Sequence, residues 1–247
     1  MITLLNCGLF SAAKDIAGEN EDTILAPLLT RAGYVMAVAD GVGSYAGAKV
    51  LSSTVIKTLK ELTENGEFVD VESTFIGIKS KIHELVKHEP SLYKAATTLT
   101  YAILNEKGLY IGHVGDSRLY LKKERKLIQL TKDHTQYQSL MDRKLYTKKE
   151  LDGMGVSHTL TLALSNSIDL GYEHIFYPVN DCLDDDGFIN LYLMTDGAYH
   201  FWRKRPRFSY DTLKKPTRFA SSLLNRIERN GAIDDYSLVA ARFSISK

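Results

Sequence analysis

Residues 98–121 read TLTYAILNEKGLYIGHVGDSRLYL. Two runs in this stretch, Thr98 to Leu104 and Leu109 to Val114, are rich in β-branched and aromatic residues and are separated by Asn105 to Gly108. A third, Arg118 to Leu121, follows Gly115 to Ser117. Joins this short leave no length for the crossover that a parallel pair requires, so the runs are expected to pair antiparallel. Outward from here, similar runs recur at Tyr34 to Ala39, Tyr172 to Val179, Ile189 to Thr195 and Tyr236 to Phe243, and Met1 to Cys7 reads as a further strand. Two helices interrupt them. Leu51, Val55, Leu59 and Leu62 form one apolar face at steps of three and four, and Phe75, Ile78, Ile82 and Leu85 form another. Groups of adjacent strands with helices between them make an α+β chain rather than a βαβ array, and neither a G-x-G-x-x-G nor a P-loop sequence occurs.

The chain has 247 residues, 44% hydrophobic and 25% charged, with 31 basic against 30 acidic side chains. This length can bury roughly 70–75% of the unfolded surface. With no linker-like stretch and no solenoid repeat, a single domain over residues 1–247 is expected. Near-average composition sets aside disorder and disulfide-stapled miniature folds, and balanced charge sets aside a nucleic-acid coat protein. Cys7 and Cys182 show neither metal nor redox spacing, which points to a reduced, cytoplasmic setting. No run approaches the 18 uninterrupted apolar residues of a membrane span, and the first residues lack the basic flank of a secretion signal.

Sorting the acidic residues by what adjoins them exposes a regularity. Asp40 follows Val35 to Ala39, Asp116 follows Tyr110 to Gly115, and Asp196 follows Leu191 to Thr195. Asp234 and Asp235 stand at the entrance of the last strand, and Asn20-Glu21-Asp22 precedes Thr23-Ile24-Leu25. A lone Asp-Gly is ordinarily a tight turn. Recurrence at strand ends argues otherwise, because strand ends converge in packed sheets. Carboxylates gathered there repel and protonate unless a cation neutralises them. An all-oxygen set without a His or Cys group selects Mg²⁺ or Mn²⁺, and two such ions sharing a carboxylate activate water for in-line phosphoryl displacement.

Six motifs carry a resemblance. Val38-Ala39-Asp40-Gly41-Val42-Gly43, Ala96-Thr97-Thr98, His113-Val114-Gly115-Asp116-Ser117-Arg118, Leu130-Thr131-Lys132-Asp133-His134-Thr135, Leu193-Met194-Thr195-Asp196-Gly197 and Asp234-Asp235-Tyr236-Ser237-Leu238-Val239 stand in this order. Over about residues 18–243 the chain resembles the metal-dependent type 2C serine/threonine protein phosphatases, in their bacterial form. The resemblance implies a four-layer αββα sandwich, two antiparallel β-sheets flanked by helices, with metals in a cleft at one end. It implies hydrolysis of phosphoserine and phosphothreonine in proteins by water activated by two Mn²⁺ or Mg²⁺ ions, without a covalent phosphoenzyme. By the same resemblance Asp40 bridges the ions, the Gly41 carbonyl completes one shell, and Asp196 and Asp234 hold the other ion. Glu21 and Asp22 match the pair that binds or orients metal-bound water, and Asp116 with Asp196 offers a third ion a place. Asp40, Asp196 and Asp22 are thus the expected catalytic residues. A flap over about 136–165, with Leu145 to Glu150 and then Leu160 to Leu164, would touch substrate. The implied partner is a phosphorylated protein, the target of a serine/threonine kinase, acted on by a monomer without membrane or nucleic acid.

Departures from the pattern matter. Ala17 stands where the family carries a phosphate-clamping arginine, and Lys14 is the nearest basic residue, a point charge that lacks the guanidinium fork. Ala17 leaves a second reading open, a catalytically weak or inactive regulator that binds a phosphoprotein. Val42 occupies the place of a histidine found in eukaryotic members, and Asp235 replaces the usual asparagine. His113 and His134 are expected to be satisfied locally. Residues 201–218 carry seven basic side chains against Asp211, read as a solvated face or a docking surface for an acidic partner. Asp181 with Asp184 to Asp186 reads as an acidic turn, and Trp202 as packing at the core's edge.

Overall fold

The computed structural model describes residues 1–15, 17–42, 47–65, 70–153 and 159–245. In chain order the elements are β1 (Ile2–Ala12), β2 (Thr23–Thr30), β3 (Gly33–Ala39), α1 (Ala48–Asn65), α2 (Val71–His88), β4 (Ala96–Thr97), β5 (Leu99–Leu104), β6 (Gly108–Val114), β7 (Arg118–Lys123) and β8 (Lys126–Gln129). There follow α3 (Gln136–Asp142), α4 (Lys148–Gly153), β9 (Leu164–Ser165), β10 (Glu173–Pro178), α5 (Val179–Cys182), β11 (Phe188–Met194), α6 (Asp196–Lys204), α7 (Tyr210–Leu213), α8 (Pro216–Asn230) and β12 (Tyr236–Ile245).

Two five-stranded sheets form, in the orders β1-β12-β11-β7-β8 and β10-β6-β5-β3-β2, with a small β4-β9 pair beside them. The strand pairs are antiparallel. Side chains alternate across each strand, so every buried strand feeds two layers. Met36 and Val38 of β3 face inward, where with Ala102 and Ile111 they meet Leu119, Leu191, Leu193, Val239 and Ala241 of the facing sheet. Val35 and Ala37 face outward and are covered by Leu51, Val55 and Leu59 of α1 and Phe75, Ile78 and Ile82 of α2. Tyr192 and Met194 likewise face outward from β11, under Ala198, Phe201 and Trp202 of α6 and Phe219, Leu223 and Ile227 of α8. The expected αββα sandwich is the observed one, and Trp202 packs as expected.

One expected pairing is corrected. The Asn105–Gly108 join does make an antiparallel pair, β5 with β6, but the join at Gly115–Ser117 carries the chain from one sheet to the other: β6 lies beside β5 and β10, whereas β7 pairs with β11 and β8. Gly115 adopts a left-handed φ of 101°, and a Cβ there would fall 2.5 Å from the Thr98 side chain. That conformation lets three residues turn out of one sheet into the next, and it sets Asp116 between them. Helix α8 also went unread in the sequence, although Phe219, Leu223 and Ile227 recur at steps of four. Of Leu160 to Leu164, only a bridge from Leu160 to Thr135 and Leu164 in β9 show strand pairing.

Candidate metal centre

Asp40 leaves β3 into a segment pinned on both sides. Its N–H donates to Thr98 Oγ1 (3.0 Å), and its carbonyl accepts from Thr98 N and Thr97 Oγ1 (both 2.8 Å). The Val42 N–H donates to Ala96 O (2.9 Å). The Thr98 hydroxyl also reaches Ser117 Oγ (3.0 Å), so one threonine couples the Asp40 exit to the turn that carries Asp116. Gly41 is not a turn glycine: a Cβ there would lie 2.9 Å from Ala48 O and Glu21 O, so its bareness admits the start of α1 and the acidic loop. Gly197 plays the same part beside Asp196, where a Cβ would meet Asp235 O at 2.0 Å. Both Asp-Gly pairs therefore exist for close backbone approach. Gly43, the last residue of the first motif, lies outside the described residues.

The loop between β1 and β2 delivers Glu21 and Asp22. The Asp235 carboxylate holds it at two points, accepting from Lys14 N (2.8 Å) and from Glu21 N (2.6 Å). Helix α1 fastens the far side through Ser52 Oγ to Glu21 O (2.6 Å) and Lys49 Nζ to Asp22 O (2.7 Å). Asp22 is buried, with Oδ2 accepting from Thr195 Oγ1 (2.8 Å), and that same hydroxyl accepts from Ser237 N (2.8 Å). Thr195 thus joins β11, β12 and the loop directly before Asp196 opens α6.

The result is a cavity of about 770 Å³ lined by Glu21, Asp40, Gly41, Asp116, Asp196 and Asp234, with Lys14 and Asp235 at its side and Thr161 and Ala163 on its wall. Every expected metal residue lines it except Asp22, which stands behind. Burial, with Asp22, Asp196, Asp116 and Asp234 around it, pushes the Asp40 carboxyl well above its ordinary range. Burial and Asp196 do the same to Asp116. Burial and Asp234 raise Asp196 to about 6, while burial raises Asp22 to about 7 against hydrogen bonds from Ser237 and Thr195. Among the described residues, Asp22 Oδ1 and Asp196 Oδ1 are buried without a hydrogen-bond partner. Buried oxygens with no donor, in an all-oxygen set of crowded carboxylates, fit a hard divalent cation.

Other singled-out residues fall into supporting places. His113 is buried, its ring between Thr100 Oγ1 (2.8 Å) and Lys132 O (2.9 Å), and burial pushes it down to about 3, so it is neutral. His134 accepts from Gly115 N (3.1 Å) through Nδ1, donates its own N–H to Gly115 O (2.8 Å), and accepts from Thr161 N (2.8 Å). It fastens the Asp116 turn to the cavity wall, and both histidines are satisfied as expected. Lys14 lines the cavity, whereas Ala17 is exposed and does not. The flap region begins with α3 and α4, its residues 154–158 lie outside the described residues, and residues 159–163 line the cavity. The acidic turn is consumed by bases: Asp184 takes Lys122, and Asp186 takes Arg242 at 2.8 Å.

Two residues that sequence reasoning missed are the loop clamp Asp235 and Lys79. From α2, Lys79 donates to the carbonyls of Ser165 and Ile168 (2.6 Å to the latter), latching the helix to the loop that ends at the cavity. Asp235 carried a signal, since it departs from the motif. Lys79 carried none.

Comparison with known proteins points to one family. The sequence model of the family described as protein phosphatase 2C matches residues 18–238. A putative protein phosphatase of Mycoplasma genitalium is 28% identical over 226 residues, covering 86% of this chain and 85% of that one. The serine/threonine protein phosphatase PstP of Mycobacterium tuberculosis is 33% identical over 139 residues, 55% of this chain, and the match spans 26% of the relative's length. The catalytic domain of PstP, solved in complex with two manganese ions, superposes with a TM-score of 0.76 at 25% identity, covering 99% of this chain and 100% of that one. Among the described residues, no helix is long and apolar enough to cross a membrane.

Proposed function

The chain belongs to the protein phosphatase 2C family, and from that premise we propose that it is a Mn²⁺- or Mg²⁺-dependent phosphatase that hydrolyses phosphoserine and phosphothreonine in proteins. The observation that carries this function is the convergence of Glu21, Asp40, Asp116, Asp196 and Asp234 on one cavity, with buried carboxylate oxygens left bare. Asp40, Asp196, Asp234, Glu21 and the Gly41 carbonyl would hold two ions, and Asp116 with Asp196 a third. A bound divalent pair supplies a Lewis acid for phosphoryl oxygens and ionises water near neutral pH. The chain's own residues do the positioning. Thr98 fixes Asp40, Asp235 fixes the loop of Glu21 and Lys14, and Thr195 orients Asp22 behind Asp196. Lys14 is the cation that meets the substrate phosphate in place of the missing arginine, and residues 159–163 of the flap also line the cavity. Acting in the cytoplasm as a monomer on the products of a serine/threonine kinase completes the proposal. The acidic set in the cavity is complete, so nothing in it favours a catalytically weak or inactive regulator.

The test is hydrolysis of a phosphothreonine peptide with Mn²⁺, with chelator, and with Asp40→Asn or Asp196→Asn. Expected is a loss of at least about 100-fold in kcat/KM for either variant and for chelation. Activity that survives chelator, or both substitutions, overturns the mechanism.

A further inference from the structure

Helix α6 opens at Asp196 in the cavity and ends at Lys204, and its last turn runs on into a loop to give the sequence Arg203-Lys204-Arg205-Pro206-Arg207. Those four basic side chains are exposed, and among the described residues none of them pairs with an acid: the nearby Asp211 is taken by Lys214 at 3.0 Å. Cations at a helix C-terminus are ordinarily explained by the dipole, which two residues in the last turn satisfy. Four within five residues repel one another, and here the repulsion is built in. The Arg226 guanidinium of α8 donates to the carbonyls of Phe201 (3.2 Å), Arg205 (2.7 Å) and Arg207 (3.1 Å), and stacks 4.2 Å from the Phe208 ring centroid. Trp202, Phe208 and Phe219 pack beneath the loop, with Trp202 and Phe208 ring centroids 5.6 Å apart. A fifth cation therefore draws the loop's carbonyls inward and leaves its like-charged side chains facing solvent on a rigid base. Burial and the Arg205 charge hold Arg226 below its ordinary value, as expected of cations crowded without an anion.

We propose that this loop is a docking platform for an acidic segment of the phosphoprotein substrate. At 1.5 Å per residue it lies about 12 Å along α6 from Asp196, a span of roughly four extended residues. The acidic residues it recognises therefore begin about four positions from the phosphorylated side chain. Electrostatic recognition of this kind acts mainly through encounter and KM and is screened by salt.

The inference rests on the phosphatase function, so the experiment separates the two. KM is measured with Mn²⁺ for a phosphothreonine peptide bearing four glutamates that begin four residues away, and for its glutamine counterpart, with an aryl phosphate as reference. The glutamate peptide is expected to show a KM about fivefold to tenfold lower in 50 mM salt. The advantage is expected to vanish in 500 mM salt and in Arg203→Glu/Arg205→Glu/Arg207→Glu, and to persist in Lys57→Glu/Lys60→Glu, a reversal on exposed α1. Binding of the unphosphorylated glutamate peptide, read by fluorescence anisotropy, follows the same order without requiring turnover, and a milder Arg205→Gln/Arg207→Gln variant stands in should the triple reversal not fold. Equal KM for the two peptides, or an advantage that survives the loop variants, overturns the platform. So does preference for single-stranded RNA or anionic vesicles at this loop without peptide discrimination. Absence of aryl phosphate hydrolysis instead overturns the phosphatase, and the anisotropy result still decides the platform.

Discussion

Asp235 shows how much one atom matters at this site. Its two oxygens serve two N–H donors, on Lys14 and Glu21, which lie seven residues apart on the same loop. An asparagine has one accepting oxygen, and its amide would oppose the second N–H. Asp235→Asn is therefore expected to loosen the Glu21 end of the loop and raise the Mn²⁺ concentration for half-maximal activity about tenfold, the usual cost of disturbing residues behind metal ligands. Turnover at saturating Mn²⁺ should stay within about threefold of wild type. A manganese titration of peptide hydrolysis decides it, and an unchanged metal requirement would show that the clamp is idle. The sequence marked Asp235 as a departure from the motif without assigning it a role. Its partners sit 214 and 221 residues away, beyond any local pattern.

At the scale of elements, each acidic residue is placed by what its strand runs into. Asp196 is both the exit of β11 and the first residue of α6, and Gly197 lets the backbone at Asp235 come alongside. A methyl group there would sit 2.0 Å from a backbone oxygen that cannot swing away. Gly197→Ala is expected to cost about 3 kcal/mol, the upper end for overpacking, and to lower Tm by roughly 6–12 °C. A thermal melt within 2 °C of wild type would refute that account of the glycine. Recurrence at strand ends already argued against reading the Asp-Gly pairs as tight turns, but sequence alone does not show that each glycine is there for a close backbone approach. The crossing at Gly115 misled for a related reason: loop length reports how far the chain travels, not which sheet it enters.

For the whole molecule, the crowded carboxylates link stability to pH and metal. Asp22 and Asp196 move from an ordinary value of 3.8 to about 7 and about 6 on folding, and Asp40 and Asp116 also rise. The folded state then binds more protons than the unfolded state between about pH 4 and 7, so without metal its stability must fall as pH rises through that window. A divalent cation reverses the trend, because it binds the ionised form and only in the fold. Expected, then, is a metal-free Tm that declines from pH 5 to pH 8 and a Mn²⁺-induced rise in Tm that grows over the same range. Calorimetry with and without Mn²⁺ measures both, and a metal shift independent of pH would contradict the link. By itself the sequence determined most of the strands, though not β2 or β8, the two helices over β3 and β5, and which carboxylates belong together, because period-two alternation, helical spacing and ordered motifs are local signals. Only the tertiary structure decided that Asp116 lies between the two sheets, that Asp22 stands behind the cavity, and that Asp235, Lys79 and Arg226 hold the working loops. Those roles consist of hydrogen bonds between segments distant along the chain, which exist only once packing has brought donor and acceptor together.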